Sequence, residues 1–392
     1  MTIDPTILAD LRRQFAETHG SAEGIRIARV PGRVNLLGEH TDYNDGFVLP
    51  MTIDRAVTYA LRPRDDRMVV LHSLNFSQHL RFPLDEPPMT EPGEWTSYVV
   101  GAIQELRQRG LLPGGFEGVV TGDVPLGGGL SSSAALEVAT VVGLQALFGF
   151  DLDPAEAAKL CQLVEHRYAG VQCGIMDQFA ARLGRQGHAL FLDCRTLDND
   201  HIPLALDDTR VVIVNTGVKR ALASSKYNER RAECDQAVAH FQRIDPAVRA
   251  LRDVTPAMLE THGAGLTDTV RMRSHHIVHE NRRVLDAITA LREHDLATFG
   301  RLMNESHASL RDLYEVSCAE LDALAEIGQS TPGVLGARMT GAGFGGCTVH
   351  LAQAAAVEPL TQTILQTYPA RFNLEPTIHV LSTNFEAGEI AG

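Results

Sequence analysis

The chain has 392 residues, with 49 Asp and Glu against 35 Lys and Arg, for a formal charge of −14. At about 150 residues per domain, that length predicts two or three domains with ample core. The acidic excess excludes a sequence-independent grip on nucleic acid or an anionic membrane, since both need a basic surface, so any anionic ligand must be held by a local cluster of donors.

Hydrophobic residues make up 44% and charged residues 21%, an ordinary balance for a soluble globular chain. The six cysteines, at 161, 173, 194, 234, 318 and 347, form no CxxC pair, which predicts free thiols. No basic segment followed by an apolar one opens the chain, and the apolar stretch Ala134–Phe150 is broken by Glu137 and Gln145. A soluble, cytoplasmic protein is expected.

In chain order, short β-branched or apolar runs predict strands at Ile25–Val30, Phe47–Ile53, Ala56–Leu61 and Met68–Leu71. Ser131–Leu147 is apolar nearly all round and predicts a buried helix. Asp153, Pro154 and Glu156 supply a cap, an N1 proline and an N3 glutamate for a helix running to about Arg167. Strands are expected again at His188–Asp193 and Val211–Val214. Helices follow over roughly 224–243, 271–294 and 296–311, then a strand near Cys347–Leu351. Mixed order suggests an α+β architecture, with the polar stretch Thr196–Asp208 as the domain boundary.

Three segments break the usual rules of packing. Pro31–Gly46 gathers Arg33, Glu39, His40, Asp42 and Asp45 between glycines directly after a strand. A solvated loop would use such residues to cap turns, but acceptors mixed with one imidazole and one guanidinium also suit a polyhydroxylated ligand, whose hydroxyls both donate and accept. Gly122–Ala134 runs from consecutive glycines into the buried helix, where backbone amides and the helix N-terminus favour an anion. Gly128 stands where a Walker loop needs lysine, and the serines at the helix start could either cap it or ligate Mg²⁺. Arg338–Cys347 contains GxGxxG, yet a strand rather than a helix is expected after it, which excludes a dinucleotide fingerprint.

Glu165, one turn after Cys161 on the capped helix, and Asp177, after a glycine-containing turn, are carboxylates in apolar settings, where a charge is usually paired or functional. Asp177 could alternatively cap a short helix through Arg182. His275, His276 and His279 have the i, i+4 spacing of a zinc site but no third ligand at the expected distance, so exposed helix histidines are expected.

Together these segments resemble the galactokinases, members of the superfamily of galactose, homoserine, mevalonate and phosphomevalonate kinases. Gly32–Pro50 is similar to the galactokinase signature, Gly122–Ala135 to the superfamily's phosphate loop, and Arg338–Cys347 to its third motif. Cys173–Gln178 and Ser224–Arg231 also resemble family segments; Lys226 departs from the small or acidic residue expected before the tyrosine.

The resemblance implies a two-domain α+β fold, with the active site in the cleft between an N-terminal mixed α/β domain (1–205) and a C-terminal ferredoxin-like α+β domain (206–392). It implies ATP-dependent phosphorylation of the anomeric C1 hydroxyl of galactose, the first committed step of galactose metabolism, with Mg²⁺ as cofactor. It matches Glu39, His40, Thr41, Asp42, Gly174 and Tyr227 to the sugar ligands. Asp177 matches the catalytic base, itself in contact with the sugar, and Arg33 the cation at the reacting centre. Gly127, Gly128, Gly129, Leu130, Ser131, Ser132 and Ser133 match the loop around the nucleotide phosphates, and Ser133 and Glu165 the Mg²⁺ ligands. The expected partners are galactose and ATP alone, with no nucleic acid, no membrane and a monomeric chain.

The chemistry agrees, because phosphoryl transfer needs positioning and charge stabilisation more than covalent help, and a carboxylate against a weakly acidic hydroxyl takes its proton as the P–O bond forms. A kinase for another galactose-like sugar and a binding-only sensor remain as alternatives. Retention of Ser131–Ala134, Glu165, Asp177 and Arg33 favours catalysis over the sensor.

Overall fold

The computed structural model describes residues 5–126, 128–218, 223–381 and 386–390. Its largest sheet is ordered Gly388–Ile390, Arg26–Asn35, Pro50–Pro63, Phe116–Gly122, Met68–Ser73, Gln78–Pro83. Neighbours are antiparallel except Phe116–Gly122 and Met68–Ser73. A parallel pair needs a crossover, and the helix Trp95–Gln108 lies within it. The end of the chain thus returns to the sheet that its beginning builds.

The two strands expected at 47–53 and 56–61 are divided differently, as a two-residue strand Phe47–Val48 and one long strand Pro50–Pro63. Asp54 and Arg55 do not end the long strand, because its partner shifts register between Pro31 and Arg33 and absorbs the irregularity. Phe47–Val48 instead pairs with His188–Asp193, which pairs in turn with Asn199–Pro203, so part of the stretch expected as a linker is a strand. The third sheet is antiparallel, ordered Val334–Thr340, Cys347–Gln353, Thr209–Asn215, Thr377–Val380.

The helix Ser132–Phe148 packs across Arg26–Asn35 and Pro50–Pro63, and its apolar circumference is explained by burial of nearly every residue from Ala134 to Leu144. Asp153 caps the next helix, Pro154–Val164, by accepting from the Ala155 and Glu156 amides, as its spacing predicts. That helix does not continue as α to Arg167, since a π-helical turn takes over at Glu165–Ala169. The long helices beyond are Ala223–Gln242, Asp268–Arg292 and Leu296–Ser309. One apolar core joins the halves: Val30 and Leu71 of the first sheet share it with Ile213, Val349 and Phe299. No helix among the described residues is long and apolar enough to cross a membrane.

Candidate active site

The three glycine-rich segments, far apart in sequence, meet at one place. The Arg33 amide donates to the Leu130 carbonyl at 3.1 Å, tying the first strand to the loop before Ser132–Phe148. Gly341, in the hairpin turn after Val334–Thr340, has φ 81° and lies so close to Gly129 that a Cβ would stand 3.1 Å from its carbonyl oxygen. Around this junction is a cavity of about 290 Å³, whose walls include Arg33, Glu39, His40, Asp42, Glu165 and Asp177. Gly341, Ala342 and Tyr227 close it from the second half of the chain.

Arg33, 4% exposed, presents a fork to Asp177: Nε donates to Oδ1 at 2.8 Å and Nη2 to Oδ2 at 2.7 Å. Its Nη1 donates to the Gly129 carbonyl at 2.6 Å. Ser131 Oγ also donates to Asp177 Oδ2. Ser131 adopts left-handed φ 58° and ψ 51°, which costs a non-glycine residue about 1–3 kcal/mol, and its hydroxyl faces Asp177 instead of capping the helix. Asp177 sits in the first turn of Met176–Leu183 without capping it, so the capping alternative has no geometric support.

Glu39 is 1% exposed and accepts from Asn35 Nδ2 and, at 2.6 Å, from the Gly341 amide, with the guanidinium of Arg338 3.4 Å away. Asp42 accepts from the Tyr43 amide, and its carboxyl is pushed up to about 7, first by burial and then by Asp177. Gly174 is obligatory beside it, because a Cβ there would come within 1.9 Å of Asp42 Oδ2. His40 is neutral, its imidazole pushed down to about 3 by burial. Tyr227 lies on the same wall with its ring 5.6 Å from that of His40.

Ser133 Oγ donates to Glu165 Oε1 at 2.9 Å, and burial raises the Glu165 carboxyl to about 7 against the opposing effect of that bond. Among the described residues, Arg33 is the only Lys or Arg on the wall, facing the carboxyls of Glu39, Asp42, Glu165 and Asp177. The cavity is therefore acidic, as the whole chain is.

Three expected loop or sugar positions lie off the wall. Thr41 is buried, with its hydroxyl 2.9 Å from the Gly38 carbonyl and 2.6 Å from that of Phe47, so the loop holds the hydroxyl proton. Leu130 is buried and Gly128 packs toward Asn215 and Cys347, so these two shape the loop without lining the cavity. Gly127 lies outside the described residues. The His275–His279 pair stacks at 4.1 Å, while His276 turns inward to Ser309 and the Glu39 carbonyl. No metal-binding group of three or more His, Cys, Asp or Glu occurs among the described residues.

The sequence analysis missed Tyr98 and Cys173, which also line the cavity, and Glu137, fully buried one turn after Ser133 and held neutral by burial. It also missed a second, smaller cavity against the phosphate loop, walled by Phe76, Trp95, Val124, Leu126 and Leu136, with the Phe76 and Trp95 rings stacked at 6.1 Å. A polar helix position inside an apolar run was a visible signal for Glu137; the aromatic pair had none.

Residues 13–63 match the galactokinase galactose-binding signature, 97–185 the N-terminal domain of GHMP kinases and 287–369 their C-terminal domain. The chain is 45% identical over 381 residues to a galactokinase of Roseiflexus sp. (strain RS-1), covering 97% of both chains. It is 45% identical over 369 residues to the Homo sapiens galactokinase, covering 92% of each. Among solved structures, the Lactococcus lactis galactokinase complexed with galactose superposes with a TM-score of 0.93 at 39% identity, covering 98% of this chain and 99% of that one. Identity at this level over nearly the full length, together with the signature at 13–63, makes the chain a member of the galactokinases, GHMP kinases that phosphorylate galactose with ATP.

Proposed function

We propose that the cavity joins ATP to the anomeric C1 hydroxyl of galactose, with Asp177 as general base and Arg33 as the cation at the reacting centre. The observation that carries this reading is the Arg33–Asp177–Ser131 arrangement at the cavity wall. Arg33 and Ser131 hold the carboxylate at the cavity wall, and a lone pair left to it takes the proton of a sugar hydroxyl as the P–O bond forms. The guanidinium, already oriented, offsets charge on the transferring group without reorganising.

Glu39, Asp42, His40, Gly174 and Tyr227 form the sugar wall. Two buried carboxyls accept from hydroxyls and a neutral imidazole supplies a further polar partner, which meets the mixed hydrogen-bonding character of a pyranose. Gly129, Ser131, Ser132 and Ser133 face the phosphates, and the neighbouring slot between Phe76, Trp95 and Leu126 is apolar and flat enough for a purine.

An acidic cavity repels a nucleotide triphosphate unless a cation accompanies it. Ser133 and Glu165 are hard oxygen donors 2.9 Å apart, and Mg²⁺ asks for one or two protein oxygens with water and phosphate supplying the rest. These two residues would hold it, and the bound ion would neutralise charge on the phosphate oxygens.

The test is ADP release from the purified chain with ATP, Mg²⁺ and a panel of sugars, with the product's phosphate position read by phosphorus NMR. Galactose should exceed glucose, its C4 epimer, by about 10- to 100-fold in kcat/KM, because a buried acceptor left unpaired costs about 1–3 kcal/mol. Equal kcat/KM for the two sugars, or phosphate on another hydroxyl, would overturn the reading.

A further inference from the structure

An unbroken line of polar groups runs through the interior behind the sugar wall, and the number of protons along it determines which way they point. Asn44 Nδ2 lies 2.9 Å from the His40 carbonyl oxygen and 3.6 Å from Cys234 Sγ. A carbonyl only accepts, so the Asn44 atom there is the amide nitrogen, and its two protons go to His40 and to the sulfur. From Cys234 Sγ the line continues 3.3 Å to the Tyr314 hydroxyl, 2.7 Å to the Tyr43 hydroxyl and 2.9 Å to His40 Nδ1. Tyr314 is wholly buried, Cys234 1% exposed and Asn44 3% exposed, while Tyr43 is half-buried.

Cys234, Tyr314 and Tyr43 each have one proton to give. One direction uses every proton: thiol to Tyr314, Tyr314 to Tyr43, Tyr43 to His40 Nδ1. The reverse direction leaves a buried thiol proton without an acceptor. Burial keeps each member neutral, raising both tyrosines and the thiol and lowering the imidazole. On the ring's other side His40 Nε2 is buried and has no hydrogen-bond partner inside the protein.

We propose that Asn44, Cys234, Tyr314 and Tyr43 form a one-way hydrogen-bond relay that holds the His40 proton on Nε2, making His40 a donor to a lone pair of a sugar hydroxyl. Tyr314 and Cys234 are positioning residues that touch no ligand. With Glu39 and Asp42 as acceptors, the wall then offers both halves of a hydroxyl's hydrogen bonding, and a hydroxyl must present its proton to the carboxylates and its oxygen to His40. The consequence for galactose rests on the proposed reading of the cavity; the tautomer itself does not.

The experiment is ¹⁵N NMR of the ligand-free full chain labelled in histidine, with His40 assigned by difference against His40→Gln. The wild type should show His40 protonated at Nε2 alone. Tyr43→Phe removes the hydroxyl at Nδ1 while keeping the ring, and should show a mixture of tautomers, with KM for galactose raised about tenfold and kcat and KM for ATP within twofold. In Tyr314→Phe the Tyr43 proton still has His40 Nδ1 as its acceptor, so the Nε2 tautomer should hold. Protonation at Nδ1 in the wild type, or an unchanged tautomer in Tyr43→Phe, overturns the relay. The spectra contain no sugar, so failure of the galactose assay alone tells against the proposed function and leaves the relay standing.

Discussion

Asn at position 177 separates proton transfer from shape. The amide is isosteric with the carboxylate but cannot take a proton at neutral pH, and one of its ends now presents N–H to the Arg33 fork. Asp177→Asn should lose about 10²- to 10⁴-fold in kcat while galactose affinity, measured by calorimetry, changes little. Because Arg33 is 4% exposed and loses a charged partner, melting should also register a cost of about 1–3 kcal/mol. Near wild-type kcat would remove the base assignment. Asp42 behaves differently. Its carboxyl is raised to about 7 from an ordinary value near 3.8, so the folded chain keeps a proton that the unfolded chain releases. The folded state binds more protons between those values, and Asp42 therefore destabilises progressively as pH rises from about 4 to about 7, with no further change above. Asp42→Asn should remove that slope, gaining melting temperature relative to the wild type across this window while galactose KM rises. An identical pH dependence of melting in both proteins would sink the assignment. Both carboxylates drew notice in the sequence for different reasons, Asp177 as a charge in an apolar, glycine-containing turn and Asp42 as one of the polar groups gathered in Pro31–Gly46. The partners of the Thr41 hydroxyl, the Gly38 and Phe47 carbonyls, are set by how the loop closes and were not legible.

At the scale of elements, the loop and helix of Gly122–Phe148 and the π-helical turn at Glu165–Ala169 act together, since each supplies one oxygen of the Ser133–Glu165 pair. Ser133→Ala and Glu165→Gln should each raise the Mg²⁺ concentration needed for half-maximal activity about 10-fold or more, with galactose binding to the protein nearly unaltered. Unchanged Mg²⁺ dependence in both variants would reject them as metal ligands. A cap and an N1 proline made the helix Pro154–Val164 readable, and a run apolar nearly all round did the same for Ser132–Phe148. Two of the elements that were not readable show why. The strand Phe116–Gly122, central in its sheet, contains Glu117, whose charge is answered by Arg62 on the neighbouring strand and Arg64 just beyond its end. The helix Ala354–Phe372 contains Pro359 and Pro369, which read as breaks in any local pattern.

Across the whole molecule, the shared core makes the halves one cooperative unit. Phe299, 1% exposed on a helix of the second half, packs in the same cluster as Val30 and Leu71. Trp95 is the chain's one tryptophan and lies in the first half, within that cluster. Denaturant unfolding followed by Trp95 fluorescence and by far-ultraviolet circular dichroism should therefore give coincident transitions. Phe299→Ala should move both together by about 3–5 kcal/mol. A fluorescence transition that stays put while the dichroism shifts would show halves that unfold independently.

The sequence by itself determined which residue types the site could draw on. A glycine run opening an apolar helix, serines at its start, and carboxylates in Pro31–Gly46 and Cys173–Gln178 are short patterns that stand in the chain whatever surrounds them. The tertiary structure alone decided which polar groups face the ligand and which face each other. Tyr43, Tyr314 and Cys234 look like ordinary core residues in sequence, and they become a directed line only because Tyr314 lies 271 positions from Tyr43 and its hydroxyl arrives within 2.7 Å. Proton direction in such a line is a property of all its contacts at once, and no local pattern encodes it.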